Sequence, residues 1–411
     1  MIRRNLIPRI EESLSDTPVV ALTGARQTGK TTLVRGLAEN VAGSKYLNLD
    51  DGTTLAAVSA DPVAFVGQDA KTLIIDEVQK APALLPAIKV AVDADRRPGR
   101  FILTGSAHPL VLPNVSESLA GRMEILTLRP FSQGELAGRR DGLIDRLMAT
   151  NFQAPACARV EAADLTGRAM RGGYPEATTR SSQRRRDAWF ASYVTAILQR
   201  DVRDLANIEG LTQMPRLLSL LAARSGALIN KAELSRAMGM AYTTLERYLA
   251  LFEATFLYEP LPAWAGNPSK RLTRSPKAFL CDSGLTAYLL GIASDRSGFD
   301  DGWRGSLIEA FVVAELRKQS SWSDTDVNLW HFRSGRQEVD IVLEDRRGRV
   351  VGIEVKAGAT LGRNDASGLR AFADAAGKRF LRGVLLYGGS EVLPFGKDIV
   401  ALPVSALWAN T

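Results

Sequence analysis

Short apolar runs alternate with helical patterns over the first 135 residues of the chain. Each run has the length and the apolar content of a buried strand, and residues at helical spacing lie between the runs. The predicted strands are residues 19–23, 45–49, 72–76, 100–104 and 124–128. Strands that alternate with helices form a parallel sheet covered by helices, so this region is predicted to be an α/β domain.

Beyond this region the pattern changes twice. A polar, arginine-rich stretch at 134–146 breaks the alternation, and helical spacing then dominates up to about residue 295. The helices predicted there are 189–205, 214–223, 231–238 and 243–256. A helix at 306–319 is followed by strand patterns at 328–332, 338–343, 350–356 and 383–387. We therefore predict three domains, at residues 1–135, 136–300 and 301–411.

Length and composition agree with several folded domains. A chain of 411 residues is too long for one hydrophobic core, and 45% hydrophobic with 24% charged residues is typical of soluble folded proteins. The net charge of +7 permits an anionic partner. Cys157 and Cys281 lack the spacing of a zinc site or a disulfide framework. No signal sequence or membrane span is evident, so we expect a cytoplasmic protein without a membrane partner.

Residues 24–31 carry the clearest chemical motif, Gly-x-x-x-x-Gly-Lys-Thr between a predicted strand and a predicted helix. Such a loop closes its backbone N–H groups around phosphate oxygens at a helix N-terminus. We expect Lys30 to reach the β- and γ-phosphates and the Thr31 hydroxyl to coordinate Mg²⁺. The predicted nucleotide-binding residues are Gly24, Ala25, Arg26, Gln27, Thr28, Gly29, Lys30, Thr31 and Thr32. The predicted cofactors are ATP and Mg²⁺.

Asp76 and Glu77 end an apolar strand and supply the acidic half of the same site. A Mg²⁺ site and a base that orients water both require carboxylates at such a position. We assign Asp76 to the water shell of the metal and Glu77 to the attacking water. The distance of Asp76 and Glu77 downstream of the phosphate loop argues against a coincidence, so each motif supports the assignment of the other.

Three further residues are catalytic candidates with open alternatives. Thr104 and Ser106, at the end of the next strand, either sense the γ-phosphate or cap the strand. Arg122 is either an arginine finger that acts across a subunit boundary or an arginine on a solvated face. A finger in trans implies a homo-oligomer, of which a hexamer is one form.

Taken together, these motifs resemble a known family. The loop, the Asp-Glu-Val-Gln strand end at 76–79, the Thr-Gly-Ser at 104–106, the Ala-Gly-Arg at 120–122 and the Gly-Gly-Tyr-Pro-Glu at 172–176 are similar to bacterial and archaeal AAA-type ATPases with a C-terminal domain of unknown function. The resemblance covers nearly the whole chain. It implies an AAA+ P-loop NTPase fold and ATP hydrolysis with Mg²⁺, without implying a biological role.

Residues 228–249 have the pattern of a helix, a glycine-containing turn and a second helix. Two short strands at 256–258 and 277–280, separated by a basic loop at 269–274, complete a pattern that resembles a winged helix. In a DNA-binding protein, the second helix would face the groove and the loop would neutralise phosphates. The groove candidates are Tyr242, Thr243, Thr244 and Arg247, and the phosphate candidates are Lys270, Arg271 and Arg274. The alternative is a lid and subunit-packing domain whose basic residues are solvated.

An arginine run and two histidines receive structural interpretations. The run Arg184–Arg185–Arg186 has the pattern of a solvated helix start. His108 and His331 have no evident partners in the sequence, so we expect them to pack or to cap.

The third domain carries Asp340 on one predicted strand and Glu354 and Lys356 on the next. Strand neighbours alternate faces, so Glu354 and Lys356 point the same way and converge with Asp340 in a hairpin. With Glu309 on the preceding helix, the set resembles the restriction-endonuclease-like PD-(D/E)xK fold, although Val339 stands where many members have proline. We predict Asp340, Glu354 and Glu309 as metal ligands and Lys356 as the catalytic lysine. The alternative is an ordinary hairpin with surface ion pairs.

These observations lead to one main hypothesis for function. The chain is predicted to be a Mg²⁺-dependent ATPase that acts on or with DNA and carries a nuclease or nuclease-derived C-terminal domain. The first alternative is an ATP-driven switch or assembly factor whose C-terminal domain binds a protein partner without cleaving nucleic acid. A third hypothesis is a regulator that binds an operator through the winged helix.

Overall fold

The chain divides into two compact units. The computed structural model describes residues 2–106, 119–202, 211–292 and 302–409. The N-terminal unit comprises Arg4–Pro130 with Ala254–Phe256, and the C-terminal unit comprises Met1–Arg3, Phe131–Glu253 and Leu257–Thr411. Among the helices in these ranges, none has the length and apolar content needed to cross a membrane.

The N-terminal unit is built on a five-stranded parallel sheet in the order β2-β3-β4-β1-β5. Its strands are β1 Val19–Thr23, β2 Ser44–Asn48, β3 Thr72–Asp76, β4 Phe101–Gly105 and β5 Met123–Thr127. Its helices are α1 Ile7–Asp16, α2 Lys30–Asn40, α3 Gly52–Ala60, α4 Pro62–Val66 and α5 Leu84–Ala94. The predicted parallel sheet is confirmed, with each strand within one residue of its predicted bounds.

The position of each strand follows from its burial. Every residue of β1 and of β3 is buried, as expected for apolar strands covered on both faces. The edge strands β2 and β5 are largely half-buried. Because all five strands are parallel, the carboxyl ends of β1, β3 and β4 meet at one edge of the sheet. Ligands of open α/β sheets bind at this edge.

Helices dominate the chain from residue 131 to residue 320. They are α6 Gln133–Leu136, α7 Leu143–Met148, α8 Ala162–Arg171, α9 Pro175–Thr178, α10 Gln183–Ala196, α11 Met214–Ala223, α12 Lys231–Met238, α13 Tyr242–Ala254, α14 Pro268–Leu272, α15 Ser283–Leu289 and α16 Gly302–Gln319. The helix predicted at 189–205 begins earlier than expected and changes to a π-helical turn at Ile197–Asp201. Residues 203–205 of that prediction lie outside the described residues.

The predicted helix, turn and helix are present as α12 and α13. Gly239 ends α12 in the left-handed conformation that glycine adopts without strain, with φ of 63°. The expected wing is different from the prediction. Tyr258 and Leu280, and likewise Leu261 and Lys277, form isolated bridges instead of continuous strands. The basic segment between them is not a simple loop, because Asn267 caps the short helix α14 there.

A mixed sheet follows, in the order β10-β11-β9-β8-β7-β6. Its strands are β6 Val327–Ser334, β7 Gln337–Asp345, β8 Val350–Lys356, β9 Phe380–Tyr387, β10 Leu393–Pro394 and β11 Ile399–Pro403, with α17 Ser367–Ala376 before β9. β7 pairs antiparallel with β8, and the pair Ile341 and Ile353 sets the register of the predicted hairpin. The predicted strands are confirmed, whereas β10, α17 and β11 were not predicted.

The helix α16 lies at the centre of the C-terminal unit. Its residues from Leu307 to Gln319 are buried with the exception of Glu309, which is half-buried. A helix buried all round must satisfy its own polar side chains. Glu315 therefore accepts the backbone N–H of Gln133 at 2.8 Å and pairs with Lys318 at 2.6 Å. Gln319 holds the backbone at Leu143 and Leu407.

The Gly-Gly-Tyr-Pro-Glu motif has a packing role in the same unit. Asp282 is buried and accepts the backbone N–H of Gly173 at 2.8 Å while it caps α15. A side chain at Gly172 would collide with this carboxylate, and Gly172 also has a φ of 66°. The Tyr174 hydroxyl lies 2.9 Å from the Tyr193 hydroxyl in the buried interior. These contacts give Gly172, Gly173 and Tyr174 a role in packing.

The buried pair of Glu315 and Lys318 generates a stability prediction. Lys318→Met leaves the buried Glu315 carboxylate without its cation, so the free energy of unfolding should fall by about 3–5 kcal/mol. All six tryptophans belong to the C-terminal unit, so tryptophan fluorescence in urea follows its unfolding. The matched control is Arg140→Met, which breaks the exposed pair with Asp324 and should cost within about 0.5 kcal/mol. Equal losses in both variants would contradict the prediction.

Candidate functional site

The loop between β1 and α2 has the backbone of an anion-binding nest. Three residues have positive φ, namely Gly24 at 142°, Gln27 at 61° and Gly29 at 95°. Left-handed residues alternating with ordinary ones turn successive N–H groups toward one concave face. A Cβ atom at Gly24 would collide with the backbone oxygen of Leu128, so only glycine allows this close approach. The loop therefore has the form that the sequence predicted for phosphate binding.

Two cations fix the loop. The Lys30 ammonium donates to the carbonyl oxygens of Gly24 and Ala25 at 2.8 and 2.9 Å. The guanidinium of Arg4 donates to the carbonyl oxygens of Thr28 at 2.8 Å and of Arg129 at 2.6 Å. Thr31 is half-buried and Thr32 is exposed in the first turn of α2. Lys30 is thus held inside the loop, at the place where phosphate oxygens bind in such loops.

The carboxyl ends of β3 and β4 bring Asp76, Glu77 and Thr104 together. The Thr104 hydroxyl donates to Asp76 Oδ1 and accepts the backbone N–H of Glu77 at 3.1 Å. Asp76 Oδ2 accepts the hydroxyl of Tyr46 on β2 at 2.8 Å. Burial raises the pKa of Tyr46 to about 12, and Arg35 lies over its ring at 5.1 Å. Asp76 is therefore a buried carboxylate oriented by two hydroxyl groups.

Glu77 is oriented by Gln79, a residue for which the sequence predicted no role. The amide nitrogen of Gln79 donates to Glu77 Oε2 and to Ser106 Oγ, the latter at 3.1 Å. The amide oxygen of Gln79 is buried and has no hydrogen-bond partner in the described part of the chain. Glu77 itself has a φ of 61°, which is uncommon for a non-glycine residue. Gln79 thus connects the predicted base to the predicted sensor Ser106.

ATP and Mg²⁺ fit the residues at this edge of the sheet. The nest and Lys30 suit the phosphates, while Thr31 and the buried Asp76 supply the hydroxyl and carboxylate oxygens that Mg²⁺ prefers beside phosphate oxygens. Such a metal takes most of its ligands from phosphates and water. No cluster of three or more His, Cys, Asp or Glu side chains suited to a metal is present in the described ranges.

Arg122 lies at the opposite edge of the same sheet. Its carbonyl oxygen accepts the N–H of Val19, the first residue of β1, so it precedes the strands that lead to the phosphate loop. Its Nε donates to Asp93 at 2.6 Å, and this bond lowers the pKa of the Asp93 carboxyl. With β1 between the two edges, Arg122 is remote from the loop of its own chain. A role at a phosphate therefore requires a second subunit, as the hypothesis of a finger in trans states.

The second helix of the helix-turn-helix presents a polar face to solvent. Tyr242 is 46% exposed, Thr243 and Arg247 are also exposed, and Thr244 is half-buried. The opposite side of α13 is buried, with Leu245, Tyr248 and Leu249 in the interior. This arrangement leaves the four groove candidates on or near one accessible face.

The structure separates the three predicted phosphate-neutralising residues. Arg271 pairs with the buried Glu344 through two bonds, at 2.5 and 2.8 Å, and lies over the Trp330 ring at 4.8 Å. The structure therefore does not support a phosphate contact by Arg271, because its guanidinium is already bound to a buried carboxylate. Lys270 and Arg274 are exposed, and Arg274 also donates to the carbonyl oxygen of Arg333 at 3.1 Å.

The other basic positions behave as structural residues. Arg184 and Arg185 are exposed in the first turn of α10, as expected for a solvated helix start. Arg186 departs from the prediction, because it is half-buried and donates to the carbonyl oxygens of Arg180 and Ser181. His331 is buried and lies 3.1 Å from the carbonyl oxygen of Ser275, and burial lowers its pKa to about 4. His108 lies outside the described residues.

In the C-terminal unit, the predicted residues Glu309, Asp340, Glu354 and Lys356 do come together. Asp340 Oδ2 accepts the backbone N–H of Val355 at 2.9 Å. The Lys356 ammonium pairs with Glu354 at 2.9 Å. The hairpin thus confirms the geometric part of the hypothesis, namely that acids from β7 and β8 converge with the acid of α16.

An unpredicted lysine occupies the middle of this carboxylate cluster. The ammonium of Lys277 lies 2.8 Å from Glu309 Oε1, 2.6 Å from Glu338 Oε1 and 2.9 Å from Asp340 Oδ1. Burial acts to lower the pKa of Lys277, but the nearby carboxylates outweigh it and raise that pKa. Burial followed by the charge of Asp340 raises the pKa of Glu309 to about 8 and that of Glu354 to about 7.

A divalent metal does not fit this cluster. The position among Glu309 and Asp340 at which a metal would sit is taken by an ammonium group, and a second cation there would meet like charge in a buried place. This arrangement does not support the prediction that Asp340, Glu354 and Glu309 hold a metal with Lys356 as the catalytic lysine. Lys277 lies outside residues 301–411, the predicted domain that holds the four candidate residues, so no pattern within that domain pointed to it.

Five residues with contacts at these two places were missed from the sequence, namely Arg4, Tyr46, Gln79, Lys277 and Glu338. Gln79 stands two residues after Glu77, so its position in the sequence could have indicated a contact with the predicted base. Lys277 begins an otherwise apolar run at 277–280, and a lysine that enters the interior there needs acidic partners. Arg4 and Tyr46 gave no signal, because their partners are remote in the sequence.

Comparisons with known proteins identify three regions of the chain. A family described as an AAA domain matches residues 16–137. A domain of unknown function, DUF8612, matches residues 162–296, and another, DUF4143, matches residues 304–407. The AAA domain agrees with the P-loop and the parallel sheet of the N-terminal unit.

Two curated relatives match along almost the whole chain. They are the uncharacterised proteins Rv2008c of Mycobacterium tuberculosis and Mb2031c of Mycobacterium bovis. Each is 31% identical over 98% of this chain and 84% of its own length. Among solved structures, AMPPCP-bound DnaA from Aquifex aeolicus matches 60% of this chain and 85% of its own, at 14% identity. Its TM-score of 0.30 is too low to bear on the fold.

The contact of Gln79 with Glu77 and Ser106 predicts a kinetic effect. Gln79→Ala should lower kcat for ATP hydrolysis by about tenfold to a hundredfold, because Glu77 loses the group that orients it. The Kd for nucleotide should change little, since Gln79 bonds to Glu77 and Ser106, which lie outside the phosphate loop. Steady-state ATPase assays and nucleotide titrations measure the two quantities.

Gln68→Ala is the matched control for this change. Gln68 lies in the same unit but donates to the carbonyl oxygen of Phe65, away from the site. Its removal should leave kcat unchanged. If Gln79→Ala and Gln68→Ala have the same kcat, Gln79 does not position Glu77.

Proposed function

The chain belongs to the family that includes the mycobacterial proteins Rv2008c and Mb2031c, and we propose that it is an AAA+ ATPase that hydrolyses ATP with Mg²⁺ in its N-terminal unit. One observation carries this proposal. The carboxyl edge of the parallel sheet gathers a phosphate-binding nest, a loop lysine, a buried aspartate and a glutamate with its own orienting amide.

Each group has a distinct role in this proposal. The loop 24–29 and Lys30 bind the phosphates and neutralise charge on them. Thr31 and Asp76 would hold Mg²⁺, which supplies further positive charge at the phosphates when it is bound. Glu77 accepts a proton from, or orients, the attacking water, with Gln79 as its positioning residue. Thr104 fixes both Asp76 and the backbone of Glu77, so it couples the metal ligand to the base.

We place Arg122 at the nucleotide of a neighbouring subunit. Its location at the amino edge of the sheet supports action in trans, since its own phosphate loop follows the opposite end of β1. The bond to Asp93 holds the guanidinium at the surface, where it is one quarter exposed. This proposal requires a homo-oligomer, and a closed ring such as a hexamer would give every site the same neighbour.

DNA is the second part of the proposal. The exposed face of α13, with Tyr242, Thr243 and Arg247, is the specific observation that favours it. In a helix-turn-helix, this face of the second helix enters the major groove. Exposed Lys270 and Arg274 would add phosphate contacts. ATP hydrolysis would then remodel or move the protein along DNA, whereas an ATP-driven switch for a protein partner would use the same surface without nucleic acid.

The C-terminal α/β region enters this proposal as a nuclease-like binding module. Its helix α16 and the hairpin of β7 and β8 support descent from a restriction-endonuclease-like fold. Because Lys277 fills the carboxylate cluster, the proposed function includes no cleavage of nucleic acid.

Two substitutions test the ATPase. Lys30→Ala should abolish nucleotide binding and turnover, because the phosphates lose charge neutralisation. Glu77→Gln should retain ATP binding and reduce kcat by about a hundredfold or more, since the amide cannot act as a base. The measurement is release of inorganic phosphate beside a nucleotide titration. Hydrolysis at the wild-type rate in Glu77→Gln would overturn the assignment of the base.

The same assay tests Arg122 in trans. Arg122→Ala and Lys30→Ala should each be inactive alone, but a mixture should recover activity, because some interfaces then combine an intact loop with an intact arginine. A mixed oligomer that is confirmed by mass and shows no recovery would leave Arg122 with a structural role.

The DNA interface has its own test. Tyr242→Ala with Arg247→Ala should weaken DNA binding and lower the salt slope by about one phosphate contact. DNA should stimulate ATP hydrolysis in the wild type and less in this variant. Arg184→Ala removes one exposed arginine elsewhere and is the matched control. Equal affinities and slopes in all three proteins would favour the alternative of a protein partner.

A further inference from the structure

Lys277 is held in place through its backbone as well as its side chain. Its N–H donates to the carbonyl oxygen of Leu261 at 2.9 Å, and its carbonyl oxygen accepts the N–H of Leu261 at the same distance. Lys277 also forms a bridge with Leu228. The side chain is 2% exposed. A lysine fixed at both ends in this way is part of the fold and does not move freely as a surface side chain does.

The three carboxylates around the ammonium come from two different elements. Glu309 belongs to α16, whereas Glu338 and Asp340 lie two residues apart on β7 and so point to the same face. The three N···O distances lie between 2.6 and 2.9 Å, the range of charge-assisted hydrogen bonds. An ammonium group has three donors, and each one here has a carboxylate oxygen within reach.

The remaining contacts of these acids also come from the protein. The second oxygen of Asp340 accepts the N–H of Val355, so this carboxylate is bound on both sides. Glu309 packs against Gly226, where an added Cβ would lie 2.7 Å from its second oxygen. Glu354 is paired with Lys356. A divalent cation needs several such oxygens at once, and Lys277 already engages three of the four acids. The second oxygen of Glu354 is buried and has no hydrogen-bond partner in the described part of the chain.

We propose that the Lys277 ammonium is the built-in cation of this carboxylate cluster, and that it takes the place a divalent metal would need. The C-terminal α/β region therefore keeps the acids of a nuclease-like centre as a structural ion network. The lysine joins the segment around residue 277 to α16 and β7, so the cluster fixes the helical region onto the C-terminal sheet.

Mn²⁺ binding to the full-length, nucleotide-free protein tests this proposal. Wild type, Lys277→Met, Asp340→Asn and the double variant are stripped with EDTA and titrated with Mn²⁺ by calorimetry. Wild type and Asp340→Asn should bind Mn²⁺ identically, because neither offers a cation site at the cluster. Lys277→Met keeps the aliphatic stem but removes the charge, so it should gain a site at least about tenfold tighter than any in wild type. The double variant should lose that site again.

Thermal unfolding in EDTA and in Mn²⁺ gives a second measurement. Lys277→Met should unfold at a lower temperature than wild type in EDTA, because its acids repel one another, and Mn²⁺ should restore part of the loss. ATP hydrolysis by the variant reports separately on the N-terminal unit, so failure of the cluster proposal and failure of the ATPase proposal remain distinguishable.

Two results would overturn the proposal. The first is Mn²⁺ binding by wild type that Asp340→Asn abolishes, or wild-type cleavage of DNA that requires Mg²⁺ and Asp340. The second is a folded Lys277→Met protein that gains no Mn²⁺ site. Should Lys277→Met fail to fold, the comparison of wild type with Asp340→Asn decides the question alone.

Discussion

A charge that is buried in a protein must be balanced by its neighbours, and the C-terminal unit depends on this constraint at two places along one helix. The helix α16 carries Glu309 and Glu315, and each of these acids is paired with a lysine that lies within 2.8 Å. Lys318 comes from the same helix, whereas Lys277 comes from a distant segment. The two pairs determine which parts of the chain must pack around α16.

The N-terminal unit differs in that its backbone is arranged to bind a highly charged phosphate ligand. Its loop uses left-handed backbone at Gly24, Gln27 and Gly29 to turn N–H groups inward, and Glu77 adopts positive φ at the end of β3. Residues in sparsely populated backbone regions cluster at functional sites, where the surrounding structure holds them. Here Thr104 and Gln79 provide that support for Glu77.

Three lysines illustrate how the surroundings assign a role to the same side chain. Lys30 donates to carbonyl oxygens of the phosphate loop, and a lysine at this place in such a loop contacts the phosphates of a bound nucleotide. Lys356 pairs with Glu354 and remains one third exposed. Lys277 has three carboxylate partners and almost no exposed surface, so its charge is neutralised inside the protein. The resemblance to a nuclease motif rests on the acids and on Lys356. Whether a metal fits among those acids depends on the Lys277 ammonium beside them.

The sequence alone determined the phosphate loop, the strand that delivers Asp76 and Glu77, and the strands β1 to β9, because each depends on residues close together in the chain. It also predicted the hairpin that brings Asp340 to Glu354, since alternation along a strand fixes the face of each side chain. Only the tertiary structure decided that Arg271 binds Glu344, that Gln79 connects Glu77 to Ser106, and that Lys277 fills the acidic cluster. These contacts join residues from separate elements, and their energies depend on burial and on distances of a few ångströms, which no local pattern of residues contains.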